Sequence, residues 1–252
     1  MIKTKNNGIM LNKLLSIIKL KKQTNSDNFI KRIRSLVIGE GMLHDGNIPL
    51  MEFAIQNMPA QGSVLEIGSY GGLSTNVIIY LMQKHKRNNP MFNCDAWIYE
   101  GFDDQINKNI LHIDGREDVL REDYSVYMKN AFINATKLLS LKNLPHSFHL
   151  KSDVFFSKWN KQETETDLFG NEIKLGGEIS FAYIDGGHSY DVVLNDFISV
   201  ADNMVINGFI LLDDSSSHLR FGSAQIVKNI KKDTRFVTIA SKPNYMFKKI
   251  NH

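Results

Sequence analysis

The chain holds a single cysteine, Cys94, in 252 residues. That excludes an internal disulfide framework and suits a reducing compartment, so a cytoplasmic location is expected. No apolar run approaches the roughly 20 residues that cross a bilayer, and no membrane span is expected. A large excess of one charge is also missing: 30 Lys and Arg against 27 Asp and Glu leave +3. The basic residues are dispersed, which gives no reason to expect nucleic acid. No signal peptide is expected either. Lys13 interrupts the run from Leu11 to Ile18, and no small-residue cleavage site follows. No internal repeat is visible. What is plentiful is apolar residues, 42% of the chain, enough for one large α/β core.

Residues 1–47 read as an N-terminal helical extension and residues 48–252 as the catalytic domain. The extension contains a short basic amphipathic helix over 10–22. It could lie on a membrane surface, pack on the domain, or meet a second copy in a homo-oligomer. A polar linker, Gln23 to Asn28, and a helix from Phe29 to about Val37 follow. The domain alternates strands and helices. Strands are expected near Val64, over Pro90 to Asp95, His146 to Leu150, Ser180 to Ile184, Phe209 to Leu212, Phe236 to Ala240 and Tyr245 to Ile250. Helices fall between them at Pro49–Met58, Leu73 onward, Tyr124–Leu141, Asp191–Asn203 and Ser223–Lys232. The fold class expected from this alternation is a Rossmann-like α/β sheet of seven mostly parallel strands with helices on both faces. Two segments break the rhythm. Residues 100–123 are acid-rich without a period. Residues 161–177 are polar with a turn signal at Gly170-Asn171. Both are expected to flank the ligand edge as acceptor pocket or lid.

Two strand tips carry chemistry. The first is Glu66-Ile-Gly68-Ser69-Tyr70-Gly71-Gly72-Leu73-Ser74. Its glycines allow close approach of backbone to a ligand, and the helix start offers free N–H groups. On that reading Gly68, Ser69, Tyr70, Gly72 and Ser74 line a cofactor, and Gly68→Val removes binding by bulk against it. The run is not the dinucleotide fingerprint G-x-G-x-x-G. An acid at the strand end, Glu66, suits a cationic or polar cofactor better than a phosphate.

The second is Tyr183-Ile-Asp185-Gly-Gly-His188-Ser-Tyr190, then Gly208 and Asp213-Asp214. Parallel strands joined by a helix place their C-terminal tips side by side, so Asp185, Asp213 and Asp214 converge. Three clustered acids need a counter-charge: a hard divalent cation such as magnesium, or an arginine such as Arg220. His188 stands on the same loop, and an imidazole can take a hydroxyl proton at neutral pH. His188 and Asp185 are therefore the catalytic candidates, with His218 as the alternative base. Asp95, at the end of the second strand, can accept ribose hydroxyls; Glu100 is the alternative. Trp97 is placed either over a base or in the core.

These motifs resemble those of class I S-adenosylmethionine-dependent methyltransferases. The glycine loop resembles their motif I. Tyr-Ile-Asp-Gly-x-His-Ser-Tyr with Gly-x-x-x-x-Asp-Asp is similar to the branch of macrocin-type sugar O-methyltransferases and cephalosporin-hydroxylase-like proteins, and the acid spacing resembles catechol-type enzymes. The resemblance covers about residues 48–250. It implies an antiparallel last strand lying between the fifth and sixth, S-adenosylmethionine as cofactor, and magnesium at Asp185, Asp213 and Asp214. It implies Glu66 near the methionine amino group or ribose, and Ser152 and Asp153 near adenine, although a helix N-cap uses the same residues. Asp185 would face both cofactor and metal. The lysine base of the catechol-type enzymes has no counterpart here. The implied activity is metal-assisted O-methylation of a small-molecule or sugar hydroxyl. The alternatives are a nucleotide-dependent oxidoreductase and a non-catalytic S-adenosylmethionine-binding protein.

Overall fold

A computed structural model describes residues 30–31, 42–98, 110–113 and 116–252. The basic helix over 10–22, the linker after it and Glu100 lie outside these residues. Ile30 and Lys31 are helical; the remainder of the helix expected there also lies outside. Contacts divide the chain into two units, Met1–Gly39 and Glu40–His252. The sheet belongs to the second.

Helix α1 (Asn47–Asn57) leads into β1 (Ser63–Ile67). The glycine turn follows, then α2 (Leu73–Lys84) and β2 (Met91–Asp95). A small antiparallel pair, β3 (Ile110–Ile113) and β4 (Arg116–Leu120), runs into the long α3 (Arg121–Ser140). Next come β5 (His146–His149), α4 (Ser152–Lys161) and a hairpin of β6 (Thr164–Thr166) and β7 (Glu172–Lys174). The second half contains β8 (Ile179–Ile184), α5 (Tyr190–Asn203), β9 (Met204–Leu212), α6 (Gly222–Ile230), β10 (Phe236–Ala240) and β11 (Tyr245–Lys249).

Seven strands form one sheet in the order β10-β11-β9-β8-β1-β2-β5. Only β11 runs antiparallel to its neighbours. The central strands β1 and β8 are buried along their whole length, as continuous apolar runs must be when helices cover both faces. Strand order reverses between β1 and β8, and an open α/β sheet parts its loops at that point to form a crevice.

The register sets the site. Ile67 pairs with Ile184, and Ile184 with Leu212. The ladder continues one step past the strands: Gly68 N–H donates to Cys94 O at 3.0 Å, Asp185 N–H to Ile67 O at 2.8 Å, and Asp213 N–H to Ile184 O at 3.0 Å. The tips of β2, β1, β8 and β9 are thereby held in one row.

The two irregular segments take up structure that their sequence does not announce. Part of residues 100–123 is the β3–β4 pair. The 161–177 segment is a hairpin fastened to the sheet: Leu168 N–H donates to Ser147 O of β5 at 2.8 Å, and Trp159 Nε1–H to Gly177 O at 3.0 Å. Asp167 Oδ1 accepts the Phe169 and Asn171 N–H groups, both at 2.9 Å, and closes its turn. β5 is the edge of the sheet, and this segment covers an otherwise unpaired ladder group. Leu168 and Phe169 also pack beside Trp97, Met128 and Phe132. A fastened edge cover is not a lid, and no residue of 162–177 lines the cavity described next.

Candidate active site

A cavity of about 650 Å³ opens over the C-terminal tips of the strands. Gly68 and Tyr70 reach it from the glycine turn, Asp95 and Trp97 from β2, Ser152 and Asp153 from the start of α4, and Asp185 and His188 from β8. Both motifs therefore open into one space.

The glycine turn is built from within. Asp95 Oδ2 accepts the N–H groups of Ser69 (2.7 Å) and Tyr70 (2.8 Å), and Oδ1 that of Trp97 (2.6 Å). A carboxylate offers about four acceptor positions, so one remains. Asp95 lines the cavity and is at the same time the anchor of the glycine turn. Trp97 is buried, its Nε1–H bonded to Tyr70 O at 2.9 Å and its ring against Phe132 with centroids 5.2 Å apart. It is a core residue with one face on the cavity.

Gly68 and Gly72 have φ of +84° and +87°, a region that favours glycine. Their packing reasons differ from the expected one. A Cβ on Gly68 would lie 2.0 Å from the Asp185 carbonyl oxygen, and one on Gly72 3.0 Å from the Phe132 ring. Gly68 is required by the neighbouring strand tip before any ligand arrives. Gly68→Val thus tests the fold rather than the cofactor.

Glu66 is fully buried. Its Oε2 accepts the hydroxyls of Ser69 (3.1 Å) and Thr75, while Oε1 has no hydrogen-bond partner. Burial pushes the carboxyl up to about 7, against the Ser74, Thr75 and Ser69 hydroxyls. A buried carboxylate oxygen without a donor is costly, and Glu66 does not itself line the cavity, which Ile67 and Gly68 reach instead. Ser69 is held in turn by Asn93 Nδ2 at 2.7 Å.

The acids at the second tip converge unequally. Asp213 is buried and turned inward. Its Oδ1 accepts the side-chain amides of Asn47 (2.6 Å) and Asn244, and Oδ2 the Tyr183 hydroxyl (2.9 Å). The same hydroxyl lies 3.1 Å from Asp185 Oδ2. Burial, then the charges of Asp213 and Asp214, push Asp185 well above the carboxylate range, opposed by the Tyr183 hydroxyl. Asp214 is half-buried, with its Oδ2 3.8 Å from His188 Nδ1. It is raised by burial and by Asp213, with His188 and His44 pulling it down. The basic groups acting on Asp214 are these two histidines; Arg220 is exposed and is not among them. With Asp213 turned to its amides, the described residues contain no group of three His, Cys, Asp or Glu side chains placed to hold a metal.

His188 packs its ring on Phe221, centroids 5.0 Å apart, and its carbonyl accepts the Gly222 N–H at 2.8 Å. His218 is exposed, beside Ser216 Oγ at 2.8 Å, and does not line the cavity. Ser152 and Asp153 open α4 and line the cavity; the N-cap is Lys151, whose side chain makes no capping bond. Asp153 is exposed, with Oδ1 on the N–H of Val154 at 2.8 Å.

Sequence reasoning missed Tyr183, Asn47 and Asn244, the bonding partners of Asp213. It also missed Asp196, a cavity-lining acid only 2% exposed. Asp196 had a signal: it interrupts the apolar stripe Val193, Phe197, Val200 and Ala201 of α5.

A family model described as a methyltransferase domain matches residues 65–215. That span is more than half of the chain and contains both motifs. The chain belongs to this methyltransferase-domain family. No curated protein matches it. Solved structures with the same fold include the O-methyltransferase NovP, at 12% identity and a TM-score of 0.53, covering 82% of this chain and 80% of NovP. An O-methyltransferase from Bacillus cereus in complex with SAH gives 10% and 0.56, covering 91% and 94%. The calicheamicin methyltransferase CalS11 gives 10% and 0.54, covering 100% and 95%. At such identities the likeness is one of fold, and it places this methyltransferase domain among Rossmann-like sheets with an antiparallel closing strand.

Proposed function

We propose that this methyltransferase domain uses S-adenosylmethionine to methylate a hydroxyl of a small molecule or sugar. The observation that carries the reading is the shared cavity: the glycine turn and the Asp185–His188 loop face one space, so a methyl donor and an acceptor can meet. Fold relatives include an O-methyltransferase holding SAH, the demethylated form of that cofactor.

The residues fit the cofactor. Glu66 is buried beside the cavity-lining Ile67 and Gly68, and through the Ser69 hydroxyl it holds the turn that the methionine end of the cofactor would meet. Asp95, which lines the cavity at the end of β2, stands at the ribose end. Ser69, Tyr70 and Ser74 shape the turn around Gly68 and Gly72, and Ser152 and Asp153 stand at the base end. His188 takes the acceptor proton at an imidazole nitrogen, and Asp214 stabilises the imidazolium that forms. Asp185 faces the same space and orients the acceptor. Holding the oxygen in line with the sulfonium methyl contributes on the order of 7–11 kcal/mol at best.

Asp213 is committed to Asn47, Asn244 and Tyr183, so of the three acids only Asp185 and Asp214 keep oxygens for a hard cation such as magnesium, which can be held by two carboxylates and waters. When bound there, a divalent cation lowers the pKa of an acceptor hydroxyl. Asn47 and Asn244 keep Asp213 oriented with or without it.

The test is methyl transfer from radiolabelled S-adenosylmethionine to a panel of sugars and phenols, with magnesium or with excess EDTA. Label in a hydroxyl product, lost on chelation, is the expected result. Retention of NAD instead of S-adenosylmethionine would support an oxidoreductase. Cofactor binding without turnover on any acceptor would support a binding protein. Full turnover in EDTA would leave the acids a positioning role without metal.

A further inference from the structure

We propose that Asn244 is a positioning residue for the reaction: its one amide clamps both residues that flank Asp214 and fixes that acid opposite His188. The proposal rests on the reading of His188 as the base and Asp214 as its charged partner. It gives a role to a side chain that lies outside both sequence motifs and does not line the cavity.

Asp214 stands in an uncommon conformation. Its φ is +46°, in the left-handed region that is costly for a residue with a Cβ and persists where the surroundings enforce it. Asp213 before it still follows the sheet ladder, its N–H on Ile184 O at 3.0 Å. The chain leaves that ladder at Asp214, whose Oδ2 lies 3.8 Å from His188 Nδ1.

Asn244 supplies the enforcement. It sits in the turn before β11 and is 4% exposed. Its Nδ2 donates to Asp213 Oδ1 and, at 3.1 Å, to Asn47 Oδ1, while its Oδ1 accepts the Ser215 N–H at 3.0 Å. One amide thus holds the side chain of residue 213 and the backbone of residue 215. The peptide between Asp214 and Ser215 cannot turn without giving up the second bond. The amide has a single productive orientation. Reversed, it would set its own N–H groups against the Ser215 N–H and its carbonyl against a carboxylate oxygen. Ser215 is fully buried, so water does not replace a lost partner there. Its hydroxyl adds a second tie, donating to Leu212 O at 2.6 Å and accepting the Tyr245 N–H at 2.7 Å. The Asp214 carbonyl accepts the Ser223 hydroxyl at 3.0 Å. The backbone on both sides of Asp214 is therefore fixed, and its carboxylate is held toward His188.

The experiment is a double-mutant cycle on the full chain: wild type, Asn244→Ala, Asp214→Ala and the double variant. Methyl transfer from radiolabelled S-adenosylmethionine to an acceptor from the panel of sugars and phenols gives kcat, and calorimetry gives the Kd of S-adenosylhomocysteine. Each single variant should lower kcat at least about tenfold and leave Kd within about threefold. The double variant should be within about twofold of Asp214→Ala, because a clamp that acts through Asp214 has nothing left to position. Losses that multiply would overturn the proposal, as would wild-type kcat in a folded Asn244→Ala. A matching loss of cofactor affinity would mark a merely structural role and overturn it too. Wild-type kcat in Asp214→Ala would do the same, and this arm stands even if no Asn244 variant folds. A wild type that methylates nothing in the panel would refute the reading beneath. Crystal structures then decide the clamp: Asp214 leaving positive φ in Asn244→Ala supports it, and an unmoved Asp214 overturns it.

Discussion

Single residues in this domain are placed by competing demands, and their variants should reveal which demand dominates. Glu66 ionises with difficulty because it is buried, at about 7 rather than 4.5. Below pH 4.5 both folded and unfolded chains hold this proton; between 4.5 and 7 only the folded chain does. Its contribution to stability is therefore complete below 4.5 and lost as pH rises through 7, a difference of at most roughly 3 kcal/mol. Glu66→Gln should flatten that part of the pH–stability curve, leaving the ligand-free variant the more stable at pH 8, while weakening S-adenosylhomocysteine. Urea midpoints across pH 4–8, with calorimetry, check both halves. Gly68→Ala should destabilise by more than roughly 2 kcal/mol, because its Cβ has no room beside the Asp185 carbonyl. Gly170→Ala is the control. It has a similar φ of +87° but open space around its Cβ, and should cost only about 1 kcal/mol. His188→Ala should lower kcat on the order of 10²–10⁴-fold with little change in cofactor Kd, and added imidazole should restore part of the rate. An equal rate in the variant would show that His188 only shapes its loop.

At the scale of elements, the second strand tip depends on packing from outside itself. Helix α6 begins at Gly222, where a Cβ would stand 2.5 Å from backbone atoms of Ser189 and Tyr190. That contact seats α6 on the loop bearing His188, and the Gly222 N–H bonds the His188 carbonyl. Gly222→Ala should push the loop away, lowering kcat at least about tenfold while cofactor affinity stays within about twofold. Steady-state kinetics beside calorimetry distinguish this from general unfolding, which would reduce both. The amides on Asp213 have a related role. Asn47 comes from the first residue of α1 and Asn244 from the turn before β11. Two segments 197 residues apart, themselves bonded Nδ2 to Oδ1 at 3.1 Å, thus orient one carboxylate.

For the whole molecule, the unit Glu40–His252 contains the seven-stranded sheet, the described cavity wall and both motifs. A fragment starting at residue 40 should fold cooperatively and bind S-adenosylhomocysteine with the affinity of the full chain. Thermal unfolding with and without ligand checks this. Loss of folding would show that the first 39 residues complete the core. Among the described residues no helix is long and apolar enough to cross a membrane.

The strands and helices of the domain were legible in the sequence because buried parallel strands are unbroken apolar runs and their helices carry a 3.6-residue stripe. The place of the antiparallel closing strand followed from the family resemblance. The convergence of Asp185 with Asp213 followed from parallel connectivity, since paired tips place their next residues together. The partners of each carboxylate were decided only in three dimensions. Asp95, expected to hold a ribose diol, holds three loop N–H groups first, and Asp213, expected to face a cation, faces two amides. Local sequence records which groups can accept hydrogen bonds. Which donors reach them depends on chain segments brought together by folding, and a buried acceptor bonds whichever donor arrives. For the same reason the acid Asp196, on the apolar stripe of α5, came to line the cavity only when the strand tips were assembled.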